Sequence, residues 1–240
     1  MIIGSVMEMH RYPVKSFGGE RLIDKVRIEP YGVEGDRWHA FVDETKTGWN
    51  SFVTARGIPA MLAYRAELLA AVEEGAVPEV AITAPDGRKL RWNEELLQDV
   101  QGLTSTKLSM RNYSKPREEL KGVDDSPILI VTDRSIRKLE ELWGKPLNPR
   151  RFRANLLVRL DREAPDEGEW IGKELSIGSV TLRIDKGCER CALITLDPDT
   201  QERDPSLLKV VNRELSLTFG VYASVVKPGF IETNDEIRLD

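Results

Sequence analysis

A β-rich mixed (α+β) fold, two packed β-barrel-like domains with a few short helices, is what the 240-residue sequence predicts. Three observations predict it. Short alternating apolar runs dominate residues 1–90, the clear helical patterns occur singly, and no strand–helix–strand rhythm of a doubly wound parallel sheet links them. The polar stretch from Tyr113 to Glu119 splits the chain into halves of similar size, so domains are expected at 1–112 and 113–240.

The elements follow in order. Gly19 to Asp43 reads as two strands around Pro30-Tyr31-Gly32. Leu62, Tyr64, Ala66 and Leu68 alternate as in a strand, while the Ala, Glu and Leu run after them favours helix, so a strand should pass into a short helix ending at Gly75. Val80 and Ile82, the dipeptide Asp86-Gly87, then Leu90 and Trp92 describe a hairpin. Asn93 caps a helix over 94–100 that Gly102 stops; Thr132 or Asp133 caps one over 135–143 that Gly144 ends; Asp204-Pro205 opens a third, carrying Leu207, Leu208 and Val211 inward. Val180, Leu182 and Ile184 mark a half-buried strand, and 192–196 reads as extended.

Composition removes several function classes. With 35 Lys+Arg against 40 Asp+Glu, the net charge of −5 argues against a nucleic-acid binder, whose affinity comes from neutralising phosphates. No apolar run reaches the roughly 18–20 residues of a membrane span, and the N-terminus lacks the basic and apolar regions of a secretory signal. A cytoplasmic protein without a membrane partner is expected. Two cysteines cannot make a disulfide framework for a chain of this size.

Those cysteines, Cys188 and Cys191, admit several readings. Structural zinc needs four ligands and would have to recruit His10 or His39 from far away. A thioredoxin-like dithiol should open a helix, and two small apolar side chains are the plain alternative. Arg183, Lys186 and Arg190 nearby favour a thiolate, the form that binds metal or attacks. Asn148 to Asn155 is a second candidate: if it is extended, Arg151, Arg153 and Asn155 point to one face and Phe152, Ala154 and Leu156 to the other. That strip suits an anion, or else guards a solvated edge strand. Tyr12 to Gly19, with Lys15, Ser16 and paired glycines, forms either an ordinary turn or an anion-binding loop. Arg37 can simply pair with Asp36, and a satisfied structural role is expected for His39.

Taken in order, Tyr12-Pro-Val-Lys-Ser16, Gly35-Asp-Arg37, Asp124-Asp-Ser-Pro127, Arg151-Phe-Arg-Ala-Asn155, Trp170-Ile-Gly172, Leu175-Ser-Ile-Gly178, Arg190-Cys191 before Asp197-Pro-Asp-Thr200, and Phe219-Gly-Val-Tyr222 resemble the MOSC family, named for the C-terminal domain of molybdenum cofactor sulfurases. The pattern is similar to that of the mitochondrial amidoxime-reducing component and of bacterial enzymes that reduce N-hydroxylated bases. The resemblance implies an N-terminal β-barrel domain followed by a MOSC domain, with the molybdenum cofactor (molybdopterin) between them. It implies Cys191 as the metal ligand, Cys188 as its neighbour, and Lys15, Ser16, Arg37, Ser135, Arg151, Arg153 and Asn155 as cofactor contacts. Asp124 or Asp125 would deliver protons. The implied activity is reduction of an N-hydroxylated small molecule with electrons from a separate donor protein. The alternative is a non-redox carrier that holds sulfur or cofactor through a Cys191 persulfide or thiolate. Two departures stand out, Ala154 where the family often has Pro and Asn234 where it often has Gly. With no further cysteines, an iron–sulfur cluster is not expected in this chain.

Overall fold

The computed structural model describes residues 1–73, 75–114 and 125–240. In chain order the strands and helices are β1 (Ile2–Arg11), β2 (Glu20–Leu22), β3 (Val26–Glu29), β4 (Gly32–Val33), β5 (His39–Val42), β6 (Arg65–Leu68), β7 (Val80–Thr83), β8 (Lys89–Arg91), α1 (Glu94–Gln101) and β9 (Ser109–Asn112). There follow β10 (Ile128–Thr132), α2 (Asp133–Trp143), β11 (Leu156–Leu160), β12 (Glu174–Ile177), β13 (Val180–Glu189), α3 (Pro205–Leu215), β14 (Thr218–Lys227), β15 (Gly229–Ile231) and β16 (Glu236–Leu239).

The largest sheet runs β11-β10-β14-β13-β12-β16-β1-β2, and a further β11–β1 pairing closes seven of its strands into a barrel. Ile3, Val6, Ile130, Val158, Leu182 and Ile237 fill its interior with the ring of Trp170, all shielded from solvent. Alternation on β13 puts Val180, Leu182 and Ile184 inside, as the period-2 pattern requires. Of the smaller sheets, β15-β3-β4 packs on the barrel core through Ile28 and Ile231, whereas β5-β9 and β6-β7-β8 frame a second core that holds Phe41, Ala66, Ile82 and Leu90. Sheet membership crosses the boundary expected at 112/113, because β1 pairs with β11 and β16, and β3 with β15.

The three helices begin where their caps dictate. The Asn93 side chain accepts from Leu96 N, Thr132 from Ser135 N and Asp204 from Ser206 N, while Gly144 closes α2 in the left-handed region. The Asp86-Gly87 hairpin pairs Ile82 with Leu90. Asn234 holds φ 72, a conformation that Asn tolerates better than most residues and Gly tolerates freely.

Four local expectations are corrected. Gly19 to Asp43 contains four short strands in place of two, because the chain turns at Asp24, Tyr31 and Gly35. No helix forms over 69–73: β6 pairs with β7 and is followed by irregular backbone, so cross-strand pairing overrides helix propensity. Residues 149–152 form a 3-10 turn, not a strand, since Pro149 sits in its first turn and Asn148 caps it by accepting from Arg150 N. Ala192–Thr195 is likewise a 3-10 turn, with Cys191 at its N-cap.

Candidate functional site

The 3-10 turn at 149–152 ends in Arg153 at φ 55, and that left-handed residue swings the chain into β11. Ser16 and Arg37 adopt the same region, at φ 69 and 55. Non-glycine residues enter it at a cost of roughly 1–2 kcal/mol each. These three strained residues line one cleft, together with Lys15, Asn155, Arg190 and both cysteines.

The cleft is built from buried cations. Arg37 pairs with Asp36 through Nη1 and donates from Nη2 to the Arg153 carbonyl at 3.1 Å. Arg153 Nη1 donates to the Phe17 carbonyl at 2.5 Å, and its guanidinium lies 4.2 Å from the centre of the Tyr12 ring. Asp36 fixes Tyr12 by accepting its backbone N–H at 2.7 Å. Burial raises the Tyr12 hydroxyl above the usual phenol range, against the opposing pull of Arg153 and Arg37, so the ring stays neutral between them. Lys15 Nζ sits 4.2 Å from the Trp49 ring centre. Arg190 donates from Nη1 to Cys188 Sγ at 2.7 Å and from Nη2 to the Phe152 carbonyl at 3.0 Å, while its Nε is buried without a hydrogen-bond partner among the described residues. Leu129, Phe152, Leu193 and Tyr222 supply the apolar walls.

Cys188 is buried and Cys191 is exposed at the cleft edge. Arg151 does not line the cleft. It is spent on the turn after Cys191, with Nη2 on Asp197 Oδ2 at 2.7 Å and Nη1 on the Ile194 carbonyl at 3.3 Å. Burial opposes charge on Asp197, yet N–H groups of Thr200 and Asp199, with Arg151, hold its carboxyl below the ordinary range. Arg151 therefore shapes the segment that presents the thiol.

The expected single face of Arg151, Arg153 and Asn155 is absent, because the 3-10 turn replaces a strand's alternation. Asn155 borders the cleft but its amide stitches strands: Oδ1 accepts from Leu129 N at 3.1 Å and Nδ2 donates to the His10 carbonyl at 3.3 Å. Ser135 lies elsewhere, at the start of α2, against Thr132 and beside a separate cavity of about 300 Å³ that also borders Glu167. Asp125 is exposed and paired with Lys186 at 3.1 Å, while the adjacent Ser126 borders the cleft. Asp124 lies outside the described residues. His39 is fully buried, edge-on to Trp92 and against the backbone of Pro13 and Pro78, and stands outside the cleft.

Sequence reasoning missed Thr54, Arg56 and Ser126 as cleft residues, and treated Arg190 only as a neighbour of the thiols. Nothing in the spacing around Thr54 and Arg56 marks them. Arg190 had a legible signal, a cation between two cysteines.

Chemically, the donor set fits a group that is both anionic and metal-bearing. Buried guanidinium and ammonium groups suit a phosphate, the unpartnered Arg190 Nε leaves a donor for a guest, and a cysteine stands at the edge as a soft ligand. The cleft holds about 80 Å³ of open space, room for a few water molecules, so a larger guest requires lining side chains to turn aside.

Known proteins share these features in outline. The molybdenum cofactor sulfurase of Drosophila erecta is 32% identical over 143 residues, which are 58% of this chain and 18% of that protein. The mitochondrial amidoxime-reducing component 1 of Homo sapiens is 30% identical over 140 residues, 52% of this chain and 40% of that protein. The match thus spans less than half the length of either relative. Among solved structures, the YUAD protein from Bacillus subtilis shares the fold, with a TM-score of 0.52 at 16% identity over 99% of this chain and 96% of that one. Residues 3–119 match the MOSC N-terminal beta barrel domain and residues 117–238 match the MOSC domain itself. With the strained, cation-lined cleft drawing on both segments, the chain belongs to the MOSC domain family.

Proposed function

We propose that this protein is a molybdenum-dependent oxidoreductase that reduces N-hydroxylated small molecules. The observation that carries the reading is the convergence of Lys15 and Arg37 from the first segment with Arg153, Arg190 and Cys191 from the second in one cleft. Lys15, Ser16, Arg37, Arg153 and Arg190 would hold the phosphate-bearing pterin of the molybdenum cofactor, and the Cys191 thiolate would bind the metal. When bound, that group supplies a centre that exchanges oxygen and two electrons with the substrate. Phe152, Leu129 and Tyr222 keep bulk water from the cations, which strengthens their grip on an anion. Arg151 holds the turn after Cys191, so the thiol is presented from a braced backbone. The two electrons would come from a separate donor protein.

The exposure of Cys191 supports a second reading, a carrier that passes on sulfur from a Cys191 persulfide. Expression in a host able to make the cofactor separates the two. The reductase reading expects stoichiometric molybdenum by elemental analysis and turnover of an amidoxime with a reduced viologen dye, both lost in Cys191→Ala while the fold persists. Full turnover by Cys191→Ala overturns it. Metal-free protein bearing cyanide-labile sulfur on Cys191 establishes the carrier instead.

A further inference from the structure

Three irregularities interrupt the long ladder between β13 and β14, the first of them between Thr181 and Leu182. The register shifts between Ile184 and Lys186 and again between Gly187 and Glu189, so Asp185 and Cys188 stand at bulges. A bulge turns its side chain out of the strand's alternation, and bulges are frequent beside active sites. Cys188 is turned into the wall of the cleft. Asp185 is turned to receive two hydroxyls: Ser126 Oγ donates to Oδ2 at 2.7 Å and Ser224 Oγ donates to Oδ1 at 2.8 Å. Ser126 borders the cleft that holds Cys191, while Asp185 stands behind it, half-buried.

We propose that Asp185 and Ser126 form the route by which protons reach a substrate in the cleft, an inference that rests on the reductase reading. The reaction R–NH–OH + 2 e⁻ + 2 H⁺ → R–NH₂ + H₂O takes its electrons from the donor protein and must take two protons from the surroundings. A proton taken from water onto Asp185 Oδ2 reverses its hydrogen bond with Ser126, so that Oδ2 donates to Ser126 Oγ while the Ser126 hydroxyl gives its own proton to the departing oxygen as the N–O bond breaks; the second proton follows by the same route. Partial exposure lets the Asp185 carboxyl refill from water, and Ser224 holds its other oxygen so that Oδ2 keeps facing Ser126. Around the pair, Arg183 and Lys186 flank Asp185 on β13 and are exposed; Ser224 and Tyr222 are their partners on β14; Asp125 is occupied by Lys186. Glu189 also borders the cleft and is the rival proton source. Asp185 acts through Ser126 and is a positioning residue, whereas Ser126 meets the substrate.

The test uses cofactor-loaded protein and the variants Asp185→Asn, Asp185→Glu, Ser126→Ala and Glu189→Gln. Asp185→Asn should keep its molybdenum and KM while kcat falls on the order of a hundredfold. Formate in the assay should restore part of that loss, and Asp185→Glu should recover most of it. Ser126→Ala combined with Asp185→Asn should be no slower than either alone. In the cofactor-free chain, the Asp185 carboxyl ¹³C resonance should move on Ser126→Ala, a readout independent of turnover. Wild-type turnover with Asp185→Asn at full rate overturns the relay and leaves the reductase reading standing, as does a formate-rescued loss confined to Glu189→Gln. A slow Asp185→Asn that has lost molybdenum and is not rescued shows a purely structural role and also overturns it. Absence of wild-type turnover overturns the reductase reading and the relay together.

Discussion

Arg37 and Arg153 meet at the Tyr12 ring: Arg37 Nη2 donates to the Arg153 carbonyl at 3.1 Å, and the two guanidinium groups lie 5.1 and 4.2 Å from the same ring centre. Both residues hold φ 55. Like charges and strained backbones are thus concentrated at one point, to which the two matched segments contribute one arginine each. Asp36 on Arg37 and the Phe17 carbonyl on Arg153 hold both cations in place before a guest arrives, which is what a preorganised anion site requires.

Strain and binding can be separated at Arg153. Arg153→Gly removes the left-handed penalty that Arg153→Ala retains, so the glycine variant should be the more stable by about 1 kcal/mol. Urea denaturation checks this. Both variants should bind inorganic phosphate on the order of tenfold more weakly than the wild type, because a charge-assisted bond is worth about 1.5–3 kcal/mol; equal phosphate affinity in all three proteins would show that Arg153 serves the fold alone.

His39 gives a pH signature. Burial lowers its pKa from 6.5 to about 4. An unfolded chain therefore takes up a proton that the folded chain refuses between those values, and stability must fall as pH drops from about 6.5 to about 4, by up to roughly 3 kcal/mol, levelling off below. Denaturation midpoints measured across that range should show the slope, and His39→Phe should flatten it.

Asp204 works in the opposite chemical sense. Lys145 Nζ at 2.5 Å and the Ser206 hydroxyl and N–H hold its pKa at about 2, below the usual 3.8. The stability it contributes is present in full above about pH 4 and is lost as pH falls toward 2. Asp204→Ala should cost about 1 kcal/mol at neutral pH through the lost α3 cap, with little change once the wild-type carboxyl is protonated.

Gly220 tolerates no side chain. It holds φ 79 in β14, and a Cβ there would stand 2.8 Å from the Ile130 carbonyl oxygen and 2.9 Å from Val131 Cγ2. Strain and overlap together should make Gly220→Ala less stable by about 2–4 kcal/mol. A thermal midpoint within a degree of the wild type would contradict this packing.

Cap residues and period-2 runs were legible in the sequence because their signals are local: Asn93, Thr132 and Asp204 need only their own turn, and Val180, Leu182 and Ile184 only their own strand. Barrel closure was not, since β11 pairs with β1 across most of the chain. At the site, Lys15, Ser16, Arg37, Arg153 and Cys191 could be named from ordered motifs and are gathered in one cleft. Ser135 was drawn to it only by likeness and lies in another cavity. Arg151 lies off the cleft, because Pro149 imposes a 3-10 turn where an extended strand would set it on one face with Arg153. The left-handed backbones of Ser16, Arg37 and Arg153 carry no sequence mark, because none of the three is a Gly or Asn, the residues that usually signal that conformation.

The position of β1 in the barrel has a consequence for synthesis. It leaves the ribosome well before its neighbours β11 and β16, which begin only at Leu156 and Glu236. At about 5–20 residues per second, the nascent strand waits on the order of ten to fifty seconds before both edges are covered. Through that interval Ile3, Val6 and Met9 have no barrel interior to enter, so the yield of folded protein should depend on how well a growing chain is shielded more than on the stability of the finished one.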